Sequence, residues 1–153
     1  MNDVKRATLE PRHYVGVRRK VPVTELQPYF AEVLPKVMGW LAQQGIAPAS
    51  MPMAMWHAMD MTTSIADVQA GCFVAQPVAG EGEITGGTTP ATEALTLTHV
   101  GGYDKMGQSW GRVYAKAGEL GVQPGAGWEI YVDDPGAVDE AVLKTEITLP
   151  ITG

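Results

Sequence analysis

Residues 127–134 read Gly-Trp-Glu-Ile-Tyr-Val-Asp-Asp, so a single carboxylate, Glu129, stands between a tryptophan and an isoleucine, with Tyr131 two positions on. A carboxylate ringed by aromatic faces attracts a lipophilic cation. Each ring contributes about 0.5–2 kcal/mol, depending on how dry the site is, and the acid supplies a counter-charge whose pull steepens as water is excluded. The same arrangement suits general acid–base chemistry on a water molecule, with a tyrosine hydroxyl such as that of Tyr103 steadying the leaving oxygen. A third reading is plainer: strand glutamates commonly face solvent. These residues alone leave the three readings open.

No other residues form a chemical set. His13, His57 and His99 are scattered, without the close spacing of a zinc motif. Cys72 has no basic neighbour in sequence and reads as an inert buried thiol. The run Met51, Met53, Met55, Met59 and Met61, with His57 inside it, offers thioethers of the kind that suit Cu(I). Alternation sends Met53 and Met55 toward the core, so the run is read as adaptable packing. No nucleophile elbow or phosphate loop is present, and no metal or cofactor is expected.

The elements that must position Glu129 follow from periodicity. Side chains alternate across a strand, so Trp128 and Ile130 share one face and Glu129 and Tyr131 the other. If helices cover the first face, the acid and Tyr131 point away from the core. In "MAMWH" the same rule puts Met53, Met55 and His57 on one side and Ala54 and Trp56 on the other. A helix is expected over 24–44, with Leu26, Tyr29, Phe30, Val33, Leu34, Val37 and Leu41 on one face, Thr24 and Gln27 as a capping box, a kink at Pro35 and a stop at Gly45. A second is expected over 103–120, with a stripe of Met106, Trp110, Val113, Tyr114 and Ala117 and with Gly107 and Gly111 permitting close packing. Strands are expected in "HYVGVRRKVPV", "MPMAMWHAM", "VQAGCFVAQ", "EALTLTHV", "WEIYV" and "AVLKTEITL", with the Gly- and Thr-rich segment before residue 92 as turn or edge.

Both helices exit alike, through "QQGIAP" and "ELGVQP", and a strand follows each. Two β-α-β-β repeats, about 9–78 and 92–151, are therefore expected to form one α+β domain over 1–153: an antiparallel sheet with both helices on one face and a ligand cleft on the other. Aligning the repeats sets Ala54 against Glu129 and Trp56 against Tyr131, so that two rings, a small residue and an acid converge. Trp110 joins them as a candidate lining residue.

Composition narrows the classes. The hydrophobic share of 45% and charged share of 18% suit a globular chain. The net charge of −6 disfavours nucleic acid as a direct partner, and the basic cluster "RHYVGVRRK" reads as the solvated edge of a first strand. No apolar run approaches the roughly 20 residues of a membrane span. With no signal-like N-terminus and one cysteine, a cytoplasmic setting is the expectation.

Four segments together resemble the GyrI-like small-molecule-binding domain, also found as the effector-binding domain of AraC-type and MerR-type regulators. They are "LEPRHYVGVR", "HVGGYDKMGQSW", "GWEIYVDDP" and "TEITLPI", and they span about residues 9 to 151. The resemblance implies a duplicated fold with a cleft between its halves, Glu129 at the cleft floor, Tyr131 and Tyr103 lining it, and Trp56 as a further wall. It implies an aromatic or cationic ligand. It also carries two alternatives: hydrolysis of cyclopropane-bearing DNA-alkylating compounds with Glu129 as base, and protection of DNA gyrase through a protein contact. No helix-turn-helix is seen, so direct DNA binding is not expected.

Overall fold

The computed structural model describes residues 3–153. In chain order its strands and helices are β1 (Lys5–Leu9), β2 (His13–Pro22), α1 (Leu26–Gln44), β3 (Met53–Asp60), β4 (Ile65–Val74) and β5 (Ile84–Thr88), followed by β6 (Thr92–Val100), α2 (Met106–Leu120), β7 (Gln123–Pro124), β8 (Gly127–Tyr131) and β9 (Lys144–Thr152). The chain divides into two units, one of residues 11–90 and one of residues 91–153 joined by the N-terminal residues up to Glu10. All strand pairings within the units are antiparallel, and each unit follows the expected order strand, helix, strand, strand. The architecture is α+β. None of the helices among the described residues is long and apolar enough to cross a membrane.

In the 11–90 unit the strand order is β3-β4-β2-β5. The segment "RHYVGVRRK" is an edge only at its basic end: β2 is flanked by β4 throughout but by β5 only over His13–Val17, so Arg18–Lys20 pair on one side. Its charges are matched, Arg18 by Asp67 at 2.8 Å and Arg19 by Glu32 at 2.9 Å and Glu83 at 3.0 Å. α1 seals the sheet with Tyr29, Val33, Val37 and Leu41. The tightest point is where β2 crosses β4 at Gly16 and Gly71, whose Cα positions face each other. A Cβ on Gly71 would collide with the Val15 carbonyl, and one on Gly16 with that of Ala70. Beside this point the Tyr29 hydroxyl donates to the Val17 carbonyl at 2.6 Å and accepts from the Ala70 amide at 2.9 Å. Burial pushes this phenol up to about 12, so it stays a donor at neutral pH.

In the other unit the order is β1-β6-β9-β8, with β7 beside β9. Its core joins Leu95 and Leu97 of β6 and Ile147, Leu149 and Ile151 of β9 to Met106, Val113 and Ala117 of α2.

Both helices begin in a 3-10 turn, Val23–Glu25 and Tyr103–Lys105, and neither has a side-chain cap. The Thr24–Gln27 capping box is therefore replaced by a backbone turn. α1 runs through Pro35 as one helix rather than splitting. Both end in left-handed glycines, Gly45 at φ 72° and Gly121 at φ 70°, followed by matched amide bonds, Ile46 to Leu41 at 2.9 Å and Val122 to Ala117 at 3.1 Å. This closes the helix as the "GIAP" and "GVQP" exits anticipate.

Gly107 and Gly111 do not serve close packing. Both are exposed, and a Cβ on either would meet nothing within 4 Å. Gly111→Ala is therefore expected to stabilise the protein by about 0.5–1 kcal/mol, the intrinsic helix preference of alanine over glycine. An unchanged or lowered urea midpoint would count against this.

Candidate functional site

Cross-strand register decides which face Glu129 occupies. Residues directly opposite in an antiparallel pair share a face. Glu129 lies opposite Ile147 and Tyr131 opposite Thr145, and Ile147 belongs to the core beneath α2. The acid and Tyr131 therefore face the helix, not away from it, and Trp128 and Ile130 take the other side opposite Thr148 and Glu146. The expected face assignment is reversed. Alternation tells which residues go together. It does not tell which group the helix covers; the apolar residues of the neighbouring β9 do.

The same reversal holds in the 11–90 unit. Ala54 and Trp56 lie opposite Ala70 and Val68, and the Trp56 ring meets Phe30 of α1 edge-on at 6.5 Å. Ala54 is fully buried. Met53 and Met55 are buried on the opposite face, across from Gly71 and Gln69. There His57 Nε2 bonds Gln69 Oε1 at 2.8 Å, at a register shift between Trp56 and Ala58. Met51, Met59 and Met61 are exposed, so the methionine run is dispersed rather than gathered. Among the described residues no three His, Cys, Asp or Glu side chains are grouped as metal ligands. Cys72 is buried, and burial pushes its thiol up to about 11, so the nucleophilic thiolate is suppressed.

Four of the candidate residues come together in the 91–153 unit. Glu129 is only 5% exposed. Trp110 of α2 donates its indole N–H to Glu129 Oε1 at 2.6 Å, and the Tyr131 hydroxyl donates to Oε2 at 2.8 Å. Tyr103, in the 3-10 turn before α2, packs its ring against Tyr131 with centroids 5.6 Å apart. Burial raises the Tyr103 hydroxyl above its ordinary range, and the nearby charges of Asp134, Glu129 and Asp133 push in the same direction. The surroundings of Tyr103 are thus electronegative.

Tyr114 extends this array. It was grouped with the apolar helix stripe, yet it is 50% exposed and lies beside Trp110 with centroids 5.8 Å apart. The signal was its i+4 spacing from Trp110, which places the two rings on adjacent turns of one face. His99 acts one layer deeper. It is buried, with Nε2 donating to the Gly102 carbonyl at 2.8 Å and Nδ1 paired with the Ser109 hydroxyl at 2.7 Å. It ties the end of β6 to α2 and to the residue preceding Tyr103.

Comparison with solved structures gives likenesses over nearly the whole chain. The EcmrR C-terminal domain matches at a TM-score of 0.79 and 19% identity, covering 99% of this chain and 98% of that one. EcmrR in its complex with DNA matches at 0.80 and 20%, covering 98% of this chain, which spans 57% of that longer one. SAV2435, solved bound to tetraphenylphosphonium, matches at 0.64 and 13%, covering 99% and 94%. A hydrolase from Listeria innocua also matches at 0.64 and 13%, covering 97% and 91%. At these identities the likeness is one of fold. No curated protein sequence matches the chain. The model of the GyrI-like small-molecule-binding domain matches residues 3–152, and with β-α-β-β order in both units the chain belongs to that family.

Proposed function

We propose that the protein binds aromatic cations, with Glu129 as counter-ion and Trp110, Tyr131 and Tyr103 as its aromatic surround, and acts as a sensor or sequestering protein. The observation that carries this is the buried carboxylate held by two aromatic donors, Trp110 at 2.6 Å and Tyr131 at 2.8 Å. A carboxylate in such a place is costly unless hydrogen-bonded, and its field is felt strongly where water is scarce. The rings that hold it are those that favour a neighbouring cation. The bound tetraphenylphosphonium of SAV2435 supports the ligand class by analogy of fold.

A pair of probes equal in shape and opposite in charge tests the reading. Tetraphenylphosphonium is expected to bind in calorimetric titration, and tetraphenylborate is not. Equal binding of both, or of neither, would overturn it.

A further inference from the structure

We infer that the 91–153 unit carries a second binding site, on the sheet face turned away from α2, for a small zwitterion whose two charges stand as far apart as those of a dipeptide. Register fixes the face. Lys5, Thr96 and Thr148 lie opposite one another across β1, β6 and β9, and in the next row of the same face Thr98 lies opposite Glu146. Alternation turns these residues away from Leu95, Leu97, Ile147 and Leu149, which form the core with α2. Together with Asp3, just ahead of β1, they line a cavity of about 430 Å³, a size usual for small-molecule sites. Glu129, opposite Ile147, is on the other face, so this site does not depend on the counter-ion reading.

Elsewhere on the surface opposite charges close on each other, Arg6 on Glu93 at 2.8 Å, Arg18 on Asp67 at 2.8 Å and Lys36 on Glu83 at 2.9 Å. Lys5 and Glu146 do not. Among the described residues neither has an ion-pair or side-chain hydrogen-bond partner. β6 separates their strands, and at the usual strand spacing β1 and β9 lie about 10 Å apart. An ammonium and a carboxylate thus face one cavity from opposite sides, with Thr96 and Thr98 of β6 between them. A ligand with one charge would match one of them and leave the other. A zwitterion matches both, its carboxylate on Lys5 and its ammonium on Glu146, while threonine hydroxyls, which donate and accept, meet the amide between its ends. The charges of an α-amino acid sit on one carbon and do not span the gap; those of a dipeptide are held apart by a peptide unit. Asp3 adds a second carboxylate, so the ammonium end is held more strongly than the carboxylate end.

Glycylglycine and its capped forms test this by nuclear magnetic resonance titration. Glycylglycine is expected to shift the amides of Thr96, Thr98, Glu146 and Thr148 to saturation, in the millimolar range because the charges are exposed. Glycylglycinamide, which lacks the carboxylate, is expected to bind about threefold more weakly, and N-acetylglycylglycine, which lacks the ammonium, about fivefold more weakly. Lys5→Met keeps the aliphatic stem and removes the charge. It is expected to abolish the difference between glycylglycine and glycylglycinamide. Glu146→Gln is expected to weaken glycylglycine about threefold and to leave that difference in place. Absence of saturable shifts at these amides overturns the inference. So does equal binding of the three peptides, or a preference for the free carboxylate that survives Lys5→Met. Glu129→Gln separates the two sites: it is expected to weaken tetraphenylphosphonium and leave glycylglycine unchanged, and loss of glycylglycine in that variant would overturn the second site.

Discussion

Glu129→Gln is expected to weaken tetraphenylphosphonium binding by about ten- to a hundredfold, equivalent to about 1–3 kcal/mol. The substitution preserves shape and removes charge from a side chain that is 5% exposed. It also disturbs the local bonding. A carboxylate accepts on both oxygens, whereas an amide presents one oxygen and one NH2 group. Trp110 and Tyr131 both donate here, so the glutamine NH2 must face one of them, and the phenol, which rotates, is the partner that can yield. The melting temperature is expected to move little compared with the affinity. Undiminished binding by calorimetry would sink the counter-ion assignment.

The second large effect concerns stability. Tyr29→Phe is expected to cost about 1–3 kcal/mol, lowering the melting temperature by about 3–10 °C. The ring still fills its place under α1, so little volume is lost. What disappears is the hydroxyl bridging the Val17 carbonyl and the Ala70 amide, at 2.6 and 2.9 Å. At this point the backbones of β2 and β4 are joined through a side chain, and both groups are buried. Without the phenol the amide of Ala70 has lost the acceptor that satisfied it. Chemical denaturation with an unchanged midpoint would show that the bridge is dispensable.

How much of this was legible beforehand differs by level. Helix positions followed from apolar spacing, and their ends from Gly45 and Gly121, because a left-handed stop has a residue-type signature. The pairing of Glu129 with Tyr131 followed from strand alternation. The face they occupy did not, because it depends on Ile147 and Leu149, whose register against β8 is long-range information. The bond from Trp110 was hidden for a related reason: an indole in an apolar stripe looks like core, and only its N–H direction makes it a site residue. β1 is not legible because "KRATL" is short and two of its five residues are charged; its order comes from β6, far along the chain. The helix starts were misjudged because a 3-10 turn supplies through the backbone what Thr24 and Gln27 offered through side chains.

The placement of β1 bears on how the molecule is made. Lys5 to Leu9 emerge before the unit of residues 11–90 during synthesis, yet they pair with Thr92 to Thr96. The unit of residues 11–90 is contiguous and has all four of its strands once Thr88 has emerged. β1 must wait, unpaired, while that whole unit is translated and only then finds its edge on β6. Long-range pairings of this kind are slow to form. A strand left open early is exposed to wrong partners, and the two cations at its start, Lys5 and Arg6, are the kind of residue that discourages them. Removal of the strand Lys5–Leu9 would therefore be felt in the unit of residues 91–153, not in the unit that directly follows the cut.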